Sequence, residues 1–109
     1  MSFSNNSDWP HRLIGINRLV HEPARFVILN FLDAAEQVDF IFLLNESGMT
    51  QGNLSSHLSK LERSGYIEVE KTFVKKRPRT TFSITNKGRL ALHEYLVIMK
   101  NFYCDFLKT

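Results

Sequence analysis

Apolar and polar residues change their spacing several times along the chain, and each change predicts an element. Trp9, Leu13, Ile14, Ile16, Leu19 and Val20 predict a short helix over 9–20, with Pro10 in its first turn and Gly15 weakening it. The first seven residues of the chain are polar, and fraying is expected there. Pro23 then marks the start of a second helix. In it Ala24, Val27, Ile28, Phe31 and Ala35 fall at i, i+3, i+4, i+7 and i+11, which predicts one buried face. Gln37-Val38-Asp39 is long enough only for an extended connection. Phe40 to Glu46 predicts a compact apolar helix, stopped where Gly48 can turn left-handed.

Thr50 is placed to cap a fourth helix. Its leucines at 54, 58 and 61 fall within an arc of roughly 60° at helical spacing, and Gly52, Asn53, Ser56, Ser59, Lys60 and Arg63 point away from them. Gly65 ends it. Tyr66 to Val74 and Thr80 to Thr85 predict two strands, joined by KKRPR, in which Pro78 should bar a regular ladder. Thr85 can cap a last helix from about Asn86 to Leu107.

The resulting order is helix, helix, helix, hairpin, helix. A two-stranded hairpin cannot bury itself and must lean on the helices. The expected fold is therefore mainly α with a small β-hairpin (α+β): a winged helix-turn-helix with extended N- and C-terminal dimerisation helices. It divides into an N-terminal segment 1–20, partly disordered and then a short helix; a winged helix-turn-helix 21–88; and a C-terminal helix 89–109, one compact domain overall.

The fourth helix carries an unusual surface. A helix built only for solubility carries Glu and Lys outward, whereas this one carries Gln51, Asn53, Ser55, Ser56, His57 and Ser59. Short neutral donors and acceptors suit the edges of bases in a major groove, where Gln and Asn can bond adenine and Ser or Thr fits either partner. Thr50, Gln51, Gly52, Asn53, Ser55, Ser56, His57 and Lys60 are the candidate base-reading and backbone contacts, with Lys60 better suited to phosphate. His57 faces the leucine flank as much as the groove, and either contacts a phosphate or packs.

Charge sharpens this picture. Residues 60–89 hold nine Lys or Arg against three Glu, a balance of +6, while the rest of the chain holds five basic and eight acidic residues. The positive charge thus belongs to the segment containing the hairpin, as an anion-binding surface requires. Lys75, Lys76, Arg77, Arg79 and Thr80 are the candidate wing contacts, placed to follow the backbone or enter a minor groove.

The stretches HEPARFVILNFL, VDFIFLL, TQGNLSSHLSKLERSGYIEVEK and RPRTTFSITNKGRLAL, in that order, resemble the small winged-helix regulators related to the MarR and ArsR groups. The resemblance covers roughly Val20 to Tyr95. It implies a winged-helix fold and sequence-specific, homodimeric binding to double-stranded DNA by a transcriptional regulator. The recognition helix would lie within 50–63, in the major groove, and the wing within 73–81, on the minor groove and backbone. Many ArsR relatives sense metals through Cys and His clusters; this chain has no such cluster, so metal sensing does not carry over and no cofactor is implied.

In the last helix Leu92, Tyr95, Leu96, Met99, Phe102, Tyr103, Phe106 and Leu107 fill an arc of roughly 140°, wider than one small domain needs. Ile98 stands at the border of that arc, and with Trp9, Leu13 and Ile16 the arc predicts a dimer interface. Part of that aromatic lining is also a candidate small-molecule effector pocket, without further support in the sequence.

Enzyme chemistry is not expected. Ser55, Ser56 and His57 are consecutive on one helix and diverge, the four His residues lack metal spacing, and no phosphate loop occurs. The single cysteine, Cys104, excludes an internal disulfide and is expected to be a buried small apolar residue. Without a signal-like start or an apolar run of about 18 residues, a soluble cytoplasmic protein is expected. The rival reading is a winged helix that docks its basic wing on an acidic protein partner.

Overall fold

The computed structural model describes residues 8–107. The fraying expected for 1–7, and the last two positions of segment 89–109, lie outside them. In chain order the elements are α1 (Trp9–Ile14), α2 (Pro23–Ala34), β1 (Val38–Asp39), α3 (Phe40–Ser47), α4 (Gln51–Arg63), β2 (Ile67–Val74), β3 (Arg77–Ile84) and α5 (Asn86–Leu107). The sheet runs β1-β3-β2, antiparallel throughout.

The expected N-terminal helix stops at Ile14, six residues short of Val20. Beyond Gly15 the side-chain oxygen of Asn17 accepts the amides of Leu19 and Val20, at 2.9 and 3.2 Å. A local bond of this kind competes with helix continuation. It swings Val20 into the core, where it is fully buried.

α2 begins as expected. Pro23 occupies its first turn and Glu22 caps it, accepting from the Arg25 amide at 2.8 Å. Its buried face is rotated from the expected one: Ile28, Leu29 and Leu32 are enclosed, Val27 is exposed, and Ala35 lies past the helix end. The run FVILNFL is apolar around most of the helix, so periodicity alone leaves two faces in competition. The positions of α4 and α5 decide between them.

Val38 and Asp39 do more than connect. They pair with Phe82 and Thr81 as a third strand. Asp39 also caps α3, accepting from the Phe42 amide at 2.7 Å. Gly48, at φ 69°, stops α3, and Thr50 caps α4 by accepting from the Asn53 amide at 3.2 Å. The turn of the helix-turn-helix is therefore fixed by a left-handed glycine on one side and a hydroxyl cap on the other.

The ladder of β2 and β3 runs unbroken to Val74–Arg77, with Pro78 inside it opposite Phe73. Pro78 was expected to prevent this. In a hairpin with a two-residue loop the closing pair exchanges hydrogen bonds and the next pair does not. Pro78 falls in that next pair, so its missing N–H costs no bond to β2, and β1 reaches only as far as Asp39 on the other side.

Thr85 locks the hairpin to α5. Its hydroxyl donates to the Gly65 carbonyl at 2.6 Å and accepts the Gly88 amide at 3.0 Å. A Cβ at Gly88 would collide with the Tyr66 carbonyl, so α5 can approach the start of β2 this closely only with glycine there. One core joins these elements, with Val20, Ile28, Leu29, Leu43, Leu54, Leu61, Ile67, Phe82 and Leu92 at its centre.

Leu92 and Tyr95 are buried in this core and so leave the expected dimer surface. Beyond them α5 projects, giving the molecule extents of 61 × 25 × 21 Å. α1 folds back along that projection, its Trp9 edge-on to Phe102 and Phe106 at ring separations of 5.0 and 5.3 Å. Cys104 is exposed rather than buried, because it falls on the side of α5 away from Phe102 and Phe106. No helix among the described residues is long and apolar enough to cross a membrane.

Candidate nucleic-acid interface

α4 is seated by Leu54, Leu58 and Leu61, of which none is more than 4% exposed. That anchorage turns Gln51, Gly52, Asn53, Ser55, Ser56, Ser59 and Lys60 outward, all of them exposed. No acidic residue lies in the first turn, and Lys60 and Arg63 occupy the last. A Cβ added at Gly52 would meet nothing within 4 Å. Packing inside the chain therefore gives no reason for glycine at 52, and the room it leaves is on the outer surface. Thr50 remains exposed, with its hydroxyl engaged as the cap.

His57 resolves to the packed alternative. Its Nδ1 lies 3.1 Å from Nη1 of Arg25 and 3.7 Å from the Glu22 carboxylate. Arg25 is itself held by the Leu19 carbonyl, to which its Nε donates at 2.6 Å. These contacts bind the flank of α4 to the start of α2 and take His57 out of the outward row. Burial alone would raise the Glu22 carboxyl; the Arg25 and Ala24 amides, with the charges of His57 and Arg25, outweigh it and hold the group below the usual carboxylate range.

The hairpin stands beside α4 across a cleft of about 480 Å³. Ser55, Ser59 and Glu62 line it from the helix, and Lys71, Pro78 and Thr80 from the strands. At the far end of the hairpin, Lys75 and Lys76 form the two-residue loop, with φ of 51° and 64°. Positive φ at both positions is the pattern of a type I′ turn, which normally calls for Asn-Gly. Lys75, Lys76, Arg77 and Arg79 are all exposed, and Thr80 is half-buried. Arg79 is drawn toward α3: its Nη2 lies 3.6 Å from the carboxylate of Asp39.

Of the two candidate groups, Ser55 on α4 and Arg79 and Thr80 on the hairpin line this cleft, together with Asp39 and Glu62. Three neighbours escaped the sequence reading. Asp39 reaches Arg79 only because β1 pairs with β3, and a two-residue strand has no periodicity to detect. Arg25 carried a faint signal, a lone cation in an apolar helix. Phe73 was read as a strand residue, yet it stands exposed beside the cations.

The candidate dimer residues divide. Leu92 and Tyr95 are core; Trp9, Leu13, Ile16, Met99, Phe102 and Phe106 are half-buried within the chain; Leu96 and Tyr103 are exposed. Among the described residues no group of three or more His, Cys, Asp or Glu is placed to hold a metal ion.

The winged helix DNA-binding domain family matches residues 24–103. The uncharacterized protein MJ0432 of Methanocaldococcus jannaschii is 37% identical over 91 residues, covering 80% of this chain and 99% of that one. A transcriptional regulator homologue from Pyrococcus horikoshii superposes with a TM-score of 0.76 at 30% identity, over 85% of this chain and 91% of that one. A MarR-like transcription regulator from Bacillus cereus shares the fold at 20% identity, with a TM-score of 0.65 over 79% of this chain and 64% of that one. The chain belongs to the winged helix DNA-binding domain family, and its structural neighbours are transcriptional regulators of the MarR and ArsR types.

Proposed function

We propose that the protein binds double-stranded DNA sequence-specifically, as a homodimer, and regulates transcription from the sites it occupies. The first turns of α4 enter the major groove, where Gln51, Asn53, Ser55 and Ser56 meet base edges. The wing, 73–81, crosses to the neighbouring minor groove, and the cleft receives the sugar-phosphate strand that separates them. The observation that carries this reading is the exposed neutral row of α4, with no acidic side chain in its first turn, beside a hairpin that bears four exposed cations, of which Arg79 lines the cleft between them.

Homodimerism is supported by the unused apolar surface of α5. Leu96, Val97 and Tyr103 are 38, 48 and 52% exposed along its projecting half, with Leu107 and Ile14 nearby in sequence to the two helix ends. A second copy covering that surface would set two recognition helices on half-sites about 34–36 Å apart. Neither a cofactor nor a membrane enters this reading. A small-molecule effector has no dedicated site in it.

The test is selection of binding sites from a random duplex library, followed by salt titration of the selected duplex by fluorescence anisotropy. The expected product is a two-fold symmetric site bound with a steep salt slope, as counterion release requires. Enrichment of no site, with weak binding even at low salt, would refute the proposal and leave the wing to be tested against acidic proteins.

A further inference from the structure

The hairpin's tip carries a large apolar ring among its cations. Phe73 is 77% exposed, and the residues that follow it are Val74, Lys75, Lys76 and Arg77. Across the ladder it faces Pro78. That pair follows the bonded closing pair Val74–Arg77, so it is a non-bonded pair, in which opposing side chains stand closest and on the same face of the sheet. Pro78 lines the cleft against α4; Phe73 therefore stands on that same face, one pair back from the closing pair of the loop. The mount is stiff, because Pro78 fixes its own φ and the loop turns in only two residues.

Nothing in the fold needs this ring. The hydrophobic core ends along β2 with the partly buried Val69, four residues earlier. A strand edge that had only to remain soluble would carry another charge there.

We propose that Phe73, backed by Pro78, is a minor-groove wedge through which the wing reads the deformability of the DNA beneath it. The inference rests on the DNA-binding reading above. Lys75, Lys76, Arg77 and Arg79 can neutralise phosphates on both walls of the groove, yet contacts to phosphate carry no base information. An apolar ring gains contact only where a base step opens, and opening is easiest at pyrimidine–purine steps such as TA and hardest in A-tracts. Base edges are then read by α4 and step flexibility by the wing. The two classes of wing residue also separate physically: removing a cation lowers the salt slope, and removing the ring leaves it unchanged.

The experiment uses the full chain on its selected site. Hydroxyl-radical footprints of wild type and of Lys75→Ala/Lys76→Ala locate the step under the wing. Duplexes differing only there, with TA, CA or AA, are bound to wild type, Phe73→Ala and Phe73→Leu. Affinity is read by anisotropy, and bending by energy transfer between the duplex ends. Wild type should bend the TA duplex and prefer it to the AA duplex by about tenfold. Phe73→Ala should bring that ratio near one and abolish the bend at an unchanged salt slope, while Phe73→Leu keeps part of both. The wedge is overturned if Phe73→Ala retains the preference and the bend. It is overturned equally if the variant lowers the salt slope for every duplex, or changes only the sedimentation of the free protein. A wild type that binds no duplex at all overturns the DNA-binding reading itself, an outcome distinct from these.

Discussion

Helix α4 and the tip of the hairpin are built by opposite means. α4 follows every local rule: a hydroxyl cap, three leucines sealed beneath it, and a glycine whose missing side chain leaves space only outward. Its outward face is independent of its folding face. The wing tip breaks a local rule to display charge, holding Lys75 and Lys76 left-handed where glycine or asparagine would turn without strain. For residues other than glycine that conformation costs roughly 1–2 kcal/mol each. The helix surface can therefore change without cost to stability, whereas at the tip the display of charge and stability pull against each other.

The largest expected effect comes from removing the seat shared by the helix and its face. Leu54 is fully buried, and Leu54→Ala should destabilise the fold by about 2–5 kcal/mol, the range for large-to-small changes in a packed core. Urea unfolding monitored by circular dichroism measures it. A loss below about 1 kcal/mol would mean that α4 is not held as tightly as its burial indicates.

Substitutions on the other side of the same helix should separate function from folding. Gln51→Ala or Asn53→Ala should leave the unfolding midpoint within about 0.5 kcal/mol of wild type. Each should nevertheless lose about 1–3 kcal/mol of discrimination at one base pair of the selected site, at an unchanged salt slope. Equal losses on every sequence would move both residues from reading bases to holding backbone.

At the tip the signs should oppose. Lys75→Asn combined with Lys76→Gly restores the preferred turn and should stabilise the fold by about 1–2 kcal/mol. The same pair removes two cations, so DNA affinity should fall and the salt slope should become shallower by about two. A variant that gains stability without losing affinity would show that the lysines play no part in binding.

What the sequence disclosed follows the same division. α3, α4 and α5 were legible almost to the residue, because caps, glycine stops and leucine spacing are local signals that the final packing did not override. The Leu92–Tyr95 stretch misled, since a wide apolar arc does not say which part covers the chain's own core and which part is left over. α1 was overextended because Asn17's capture of two amides is a side-chain geometry invisible to hydrophobic spacing. The chemistry of the candidate interface was legible in residue type. Its finer arrangement was not: His57 against Arg25, Asp39 against Arg79 and Phe73 beside Pro78 are all meetings between segments distant in sequence or across a turn whose register Pro78 concealed.

The smallest effect concerns the joint that carries both halves. α2 holds α4 through Arg25 and His57, and α5 holds the hairpin through Thr85; Asp33 links α2 to α5, bonding Nε2 of His93 at 3.0 Å and Nε of Arg89 at 2.9 Å. The His93 hydrogen bond, joined by Arg89, outweighs burial and holds the Asp33 carboxyl below its ordinary range. A carboxyl depressed in the folded state contributes stability that is fully present above its unfolded value, near pH 4, and is lost as pH falls through the lower folded value. Glu22, also depressed, acts in the same direction. Asp33→Asn should therefore cost about 0.5–1 kcal/mol at pH 7, modest because the Arg89 partner is largely solvated. The difference from wild type should be smaller at pH 3 than at pH 7. An equal difference at both pH values would assign the loss to shape rather than charge. If DNA affinity falls by the same factor for every site while α4's sequence preference and the wing's salt slope stay intact, the joint sets the separation of the two halves and neither half depends on it for its own chemistry.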